Sequence, residues 1–114
     1  MNFKFVVTEV FSRQVKKLAK RYPKIKIDLS NFKQDFNEGR MKGRAIPGLK
    51  HKVYKARMKS TDMQRGKRGG YRVIYYLQTI QNRVILLTIY AKARRENIRI
   101  QEILSLLKKF GIEI

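Results

Sequence analysis

The sequence predicts an α+β domain in which a small, antiparallel-rich sheet is flanked by helices, and three observations predict it. A short alternating strand opens the chain, and two amphipathic helical stretches follow it between Glu9 and Glu38. Three or four strand-like segments then crowd between Arg44 and Tyr90, and a last helical stretch ends near Phe110. The order is β-α-α-β(3-4)-α. All of it fits one domain over residues 1–114, because a chain of this length supplies one hydrophobic core and not two.

Phe3, Phe5 and Val7 share one parity and Lys4 and Val6 the other, so Phe3–Val7 reads as the opening strand. Thr8 stands where a helix N-cap belongs. From Glu9 to Tyr22 the apolar residues Phe11, Val15, Leu18 and Tyr22 recur at spacings of four, three and four, the stripe of an amphipathic helix. Pro23 should end it, because proline biases the residue before it out of the helical region. A second helix is expected from about Lys24 to Glu38, with Ile25, Leu29, Phe32 and Phe36 on one face and Gly39 as its stop. Two helices meeting at a proline predict an antiparallel hairpin.

Gly43, Pro47 and Gly48 make Arg40 to Lys52 mostly loop, with a short edge strand around Arg44 to Ile46. In Val53–Lys59, alternation puts Val53, Lys55, Arg57 and Lys59 on one face and Tyr54, Ala56 and Met58 on the other. One side packs, and the other is a ladder of cations. A polar connection, Ser60 to Gly70, leads into a strand from Gly70 to Gln78, whose Tyr71, Val73, Tyr75 and Leu77 alternate as on a half-buried strand. After a turn at Thr79 to Asn82, the segment Arg83 to Tyr90 is apolar on both parities and should be central and covered on both faces. The final helix is expected from about Arg95 to Phe110, on Ile100, Ile103, Leu104, Leu107 and Phe110, with Gly111 closing it.

Charge narrows the function. The chain carries 28 Lys and Arg against 8 Asp and Glu, a formal net charge of +20, which repels itself in the folded state and attracts polyanions. Between Gly39 and Arg95 stand sixteen Lys or Arg and one acid, Asp62. An acidic membrane surface or an acidic protein would feel the same field, but nucleic acid is the favoured partner. No run of about 18 apolar residues exists to span a bilayer. With no cysteine, disulfides, thiolate catalysis and Cys-based metal sites are excluded, and a single histidine, His51, excludes a multi-histidine metal site. The first residues lack the apolar stretch of a signal peptide, so a soluble, cytoplasmic protein is expected.

The stretch Gly66–Tyr76 joins a cationic glycine hinge to a strand, and the cations around it can converge. If Val53–Lys59 pairs antiparallel with Gly70–Gln78, then Lys55, Arg57 and Arg72 share a face, with Lys92 as a fourth member. Like charges directly opposite destabilise a sheet, so such an array points to an anion that belongs among them. Tyr54, Tyr71, Tyr75, Tyr76 and Tyr90 either stack bases, each worth roughly 1–3 kcal/mol, or fill the core with a hydroxyl at its edge. Tyr90, two residues before Lys92, is the one to weigh as a site residue. His51, between Lys50 and Lys52, reads as a surface histidine. No carboxylate pair flanks the cations, and Gly66-Lys67-Arg68-Gly69-Gly70 does not precede a helix, which argues against metal-dependent hydrolases and nucleotide triphosphatases. Cleaving RNA beside its 2′-hydroxyl needs no cofactor. It requires that hydroxyl in line with phosphorus, cations on the developing charge, and proton transfer at two oxygens. Lysine can transfer the proton when neighbouring cations depress its pKa. Lys55, Arg57, Lys67, Arg72 and Lys92 have that composition.

Tyr54-Lys55-Ala56-Arg57, then Gly66 through Tyr76, then Leu86-Leu87-Thr88-Ile89-Tyr90-Ala91-Lys92, resemble the RelE/ParE superfamily of type II toxins, most of all the HigB branch. Ile46-Pro47-Gly48-Leu49 and the two N-terminal helices are also similar, so the resemblance covers nearly the whole chain. It implies a metal-independent endoribonuclease, an mRNA interferase that cuts messenger RNA on the 70S ribosome, inhibits translation and is held in check by a cognate antitoxin with acidic segments. It also implies catalytic roles for the residues matching Lys55, Arg57 and Arg72. Arg57 stands where RelE has lysine, which keeps the charge and loses ready proton transfer. The tyrosine of RelE's last helix falls near Arg99 or Ile100, which leaves Tyr90 or Lys92 to take its part. Arg65, Lys67 and Arg68, with Lys59, Arg94 and Arg95, are the residues expected to grip 16S ribosomal RNA. The other reading is a non-enzymatic binder on the same fold, either a ParE-like gyrase inhibitor or a basic RNA-binding protein.

Overall fold

The computed structural model describes residues 2–40, 43–63, 69–95 and 97–114. Its described residues form β1 (Lys4–Val7), α1 (Glu9–Leu18), α2 (Ile25–Asn37), β2 (Arg44–Ala45), β3 (Val53–Met58), β4 (Tyr71–Gln78), β5 (Arg83–Ala91) and α3 (Ile100–Lys109). The five strands make one sheet in the order β1-β5-β4-β3-β2. β1 lies parallel to β5, and the other neighbours are antiparallel. A parallel pair needs a long crossover, and α1 and α2 lie on the connection between its strands. The class is α+β, as expected, with four strands after the helical pair.

Thr8 begins α1 and also fastens it to the sheet. Its hydroxyl oxygen accepts the Phe11 N–H at 3.3 Å, capping the helix, and its hydroxyl donates to the Leu86 carbonyl at 2.7 Å. α1 ends at Leu18, four residues before the expected Tyr22. Pro23 requires an extended residue ahead of it, so the chain leaves the helix through a turn in which the Tyr22 N–H reaches the Leu18 carbonyl at 2.8 Å. Tyr22 still reaches the core, meeting Tyr71 edge to face at 5.8 Å.

In α2, Ile25, Asp28 and Phe32 are buried. A buried carboxylate needs partners, and Asp28 has them in Thr61: it accepts the Thr61 N–H at 2.9 Å and the Thr61 hydroxyl. Asp62 accepts the Lys24 N–H at 2.9 Å. The connection that leaves β3 is thereby fastened to the start of α2.

Two corrections concern β4 and α3. β4 is the middle strand and is buried on both faces from Tyr71 to Tyr76, not on one. α1 and α2 contribute Phe11, Val15, Ile25 and Phe32 to a core with Ala56, Met58, Tyr71, Val73, Tyr75, Val84 and Leu86. On the other face, Ile103 and Leu107 of α3 pack with Leu49, Val53, Ile74, Tyr76, Ile85 and Leu87. Helices therefore cover both sides. α3 itself starts at Ile100, five residues later than expected. The Arg94 and Arg95 N–H groups close a turn on the Ala91 carbonyl at 3.0 and 3.1 Å, and Arg99 is extended, with φ −80° and ψ 147°. Nothing in Ala93–Arg99 breaks a helix by composition, which is why the turn was not visible in the sequence.

β5 contains a bulge. Ile74 pairs with Thr88 but Tyr75 pairs with Leu86, leaving Leu87 as the extra residue. Bulges re-aim the side chains beyond them. Val84 and Leu86 face the α1/α2 core, and simple alternation would send Tyr90 there too, yet Tyr90 packs with Ile85 and Leu87 on the α3 side. Gln14 of α1 serves the backbone there: its Oε1 accepts the Ile89 N–H at 2.9 Å and its Nε2 donates to Thr88 Oγ1 at 2.8 Å.

Gly70 joins three strands. Its φ is +80°, a Cβ there would lie 2.5 Å from the Met58 carbonyl oxygen, and its own carbonyl accepts the Lys92 N–H at 3.0 Å. Gly70→Ala must therefore strain the backbone and move β3. It should cost about 1–3 kcal/mol, seen as a lower thermal midpoint. An unchanged midpoint would show that the junction relaxes freely.

Candidate functional site

On the α3 side of the sheet, period two sets the composition of each strand. β4 presents Tyr76, Ile74 and Arg72 in turn, and β3 presents Val53, Lys55 and Arg57. The apolar members lie with α3, and the cations continue the same face beyond them. The register places Arg57 directly opposite Arg72, and Arg72 directly opposite Tyr90. One row across three strands thus reads arginine, arginine, tyrosine. Lys55 stands two residues along β3 from Arg57, opposite Ile74 on β4 and Arg44 on β2.

Burial and mutual repulsion tune these groups. Arg72 is only 6% exposed, and its Nη1 donates to the Gly69 and Tyr71 carbonyls at 3.2 and 3.3 Å. Its guanidinium is pushed below its ordinary pKa by burial first and then by Arg57. Lys55 is held below its ordinary 10.5, by burial first and then by Lys92, Arg72 and Arg57. Lys92, just past the end of β5, therefore belongs to the same cluster. Tyr90 is 7% exposed, and its hydroxyl has no hydrogen-bond partner among the described residues. Burial raises its pKa, while Arg72 and Arg95 pull it down. The arrangement can hold an oxyanion against two guanidinium groups and set a lysine with a lowered pKa beside it.

The remaining expected residues separate. Lys59 is exposed just beyond β3, and Arg94 is exposed in the turn after β5. Arg95 is half-buried and paired within the protein. Its guanidinium grips Glu102 at 3.1 and 2.5 Å and lies 5.5 Å over the Tyr90 ring. Arg65, Lys67 and Arg68 lie outside the described residues. His51 is exposed in the turn before β3, with φ 56°. Tyr71 and Tyr75 belong to the core, and burial pushes both hydroxyls up to about 12. Tyr54 stacks on Tyr75 at 5.4 Å and 12°.

Two residues of the site had no sequence signal. Asn97 accepts a hydrogen bond from Lys55 Nζ at 3.3 Å, and Glu102 holds Arg95. Among the described residues, no group of three or more His, Cys, Asp or Glu side chains gathers as a metal site would. A groove of about 520 Å³ between α1, β5 and α3, lined by Val10, Leu87, Leu106 and Phe110 among others, shares no residue with the cationic cluster. No protein-family model matches the chain, and no curated protein matches it.

The lowered pKa of Lys55 makes its charge a cost to the fold. Between its folded pKa and 10.5 the unfolded chain binds more protons, so stability rises with pH across that window. Lys55→Gln should accordingly be more stable than the parent at pH 7, with the advantage fading as the pH climbs towards 10.5. Thermal melts of both proteins across that range check it. A variant less stable at pH 7, or a gap constant with pH, would show that Lys55 carries no such penalty.

Proposed function

We propose that this protein is a metal-independent endoribonuclease, the toxin of a type II toxin–antitoxin pair, which stops translation by cutting messenger RNA on the ribosome. The observation that carries the reading is the row Arg57, Arg72 and Tyr90 with Lys55 and Lys92 beside it. A sheet does not gain from arginines set opposite one another, and a phosphate between them would offset their repulsion. The resemblance of the segments on β3, β4 and β5 to RelE/HigB toxins supports the same conclusion, and the element order is consistent with it.

In the proposed reaction the RNA 2′-hydroxyl attacks the adjacent phosphorus, the 5′-oxygen of the next nucleotide leaves, and a 2′,3′-cyclic phosphate remains. Arg72 and Arg57 stabilise charge on the non-bridging oxygens. Preorganised donors of this kind are typically worth about 10²–10³ in rate. Arg57 contributes charge only, since a guanidinium keeps its proton. Lys55, whose proton is loosened by its surroundings, serves one of the two proton transfers. Tyr90 or Lys92 serves the other. The basic segment Gln64–Arg68, with Lys59 and Arg94, would hold ribosomal RNA, and a cognate antitoxin with acidic segments would neutralise the field.

Arg72→Ala should abolish translational arrest on expression in bacteria, and the exposed Arg57→Gln should weaken it by about 10²-fold without disturbing the fold. Circular dichroism and thermal melts separate loss of chemistry from loss of structure. Arrest that survives in a folded Arg72→Ala protein would reject this site. Arrest with intact messages and DNA damage signals would point instead to gyrase.

A further inference from the structure

The segment between β5 and α3 approaches the candidate site through a chain of contacts. Glu102, in the first turn of α3, takes both terminal nitrogens of Arg95, at 3.1 and 2.5 Å. Arg95 then donates from Nε to the Asn97 backbone carbonyl at 2.9 Å. Asn97 in turn accepts from Lys55 Nζ, 42 positions away in sequence, at 3.3 Å. The Arg95 guanidinium lies 5.5 Å over the ring of Tyr90, the tyrosine of the cationic row. Each link holds the next, and the chain ends on the lysine to which proton transfer has been assigned.

Lys55 needs such support. Its stem has several rotatable bonds, and among the described residues the charges that act on it are repulsive: Lys92 from the segment after β5, Arg72 from β4 and Arg57 from its own strand, with Arg44 opposite it on β2. Repulsion alone would drive the ammonium outwards to water. A carboxylate could restrain it, but would also hold its proton in place. A neutral amide oxygen fixes the position and leaves the proton labile. Residues 97–99 belong to neither strand nor helix; the Arg95–Glu102 fork ties Asn97 to α3, and the packing of Ile98 on the α3-side core adds to it.

We propose that Glu102, Arg95 and Asn97 form a clamp that positions Lys55, and that these three are positioning residues and not contacts to RNA. The proposal rests on the reading of Lys55 as a proton-transfer group, and its test is divided so that the two can fail separately. The Lys55 ammonium can be titrated by NMR in the lysine-labelled free protein without RNA, with Lys55→Arg assigning the signal. Asn97→Ala removes an acceptor of the ammonium and should lower the titration midpoint. Asn97→Asp keeps the acceptor, adds a negative charge and should raise it, by about one unit, a tenfold change in the proton equilibrium. Glu102 is not among the charges that set Lys55, so Glu102→Gln can reach it only through the contacts. It should move Lys55 as Asn97→Ala does, and the double variant should add nothing further.

The pH–rate profile of message cleavage on ribosomes should shift in the same order. The maximal rate of Asn97→Ala should fall about tenfold or more, with affinity for ribosomes unchanged. A Lys55 midpoint indifferent to Asn97→Asp, or to Glu102→Gln, would overturn the clamp. A midpoint that follows the clamp while folded Lys55→Ala still cuts at the parent rate would uphold the clamp and refute the catalytic role of Lys55.

Discussion

Arg57 and Arg72 face each other directly across β3 and β4, and much of the molecule can be understood as what it takes to keep them there. Arg72 is nearly buried, so its charge cannot relax into water, and Arg57 beside it pushes its pKa down further. The opposition is tolerated because the strands that carry it are fixed by apolar packing elsewhere. β4 lies between two cores, one under α1 and α2 and the other under α3, and Val73 and Ile74 on either side of the arginine's strand face are fully buried. Packing on that scale outweighs a screened repulsion between two cations.

Two local devices complete the row. The bulge at Leu87 turns Tyr90 out of the α1/α2 core to stand opposite Arg72, and Gln14 supplies the hydrogen bonds beyond the end of β1. Gly70 lets β4 begin hard against the end of β3, which sets Arg57 in register with Arg72. Both decide which side chains share the face. The proposed chemistry thus depends on backbone irregularities at the ends of strands, while the strand centres supply rigidity.

The elements were largely legible in the sequence, because periodicity and capping reflect local physics. Phe11, Val15 and Leu18 mark α1, Thr8 caps it, and Gly39 takes the positive φ that ends the second helix region. The cation ladder on β3 was legible for the same reason, as Lys55 and Arg57 alternate with buried Ala56 and Met58. What could not be read depends on contacts between distant residues. Asp28 looks like any helix-surface carboxylate until Thr61 is brought to it. The ion pair between Arg95 and Glu102 joins a turn to a helix and has no local signature. Asn97 carries no signal at all, since its partner is on another strand. The burial of β4 on both faces follows only once α3 is seen to cover the side opposite α1 and α2.

The central claim is that the cationic row cleaves RNA through the adjacent 2′-hydroxyl, and the chemistry of the cut ends tests it most directly. Messages recovered from ribosomes after brief expression of the protein should carry new ends that are 5′-hydroxyl on one side and 2′,3′-cyclic phosphate on the other. A 2′-deoxy substitution at the cut position should abolish cleavage there. Messages left intact, or cut to leave 5′-phosphate ends, would contradict the account.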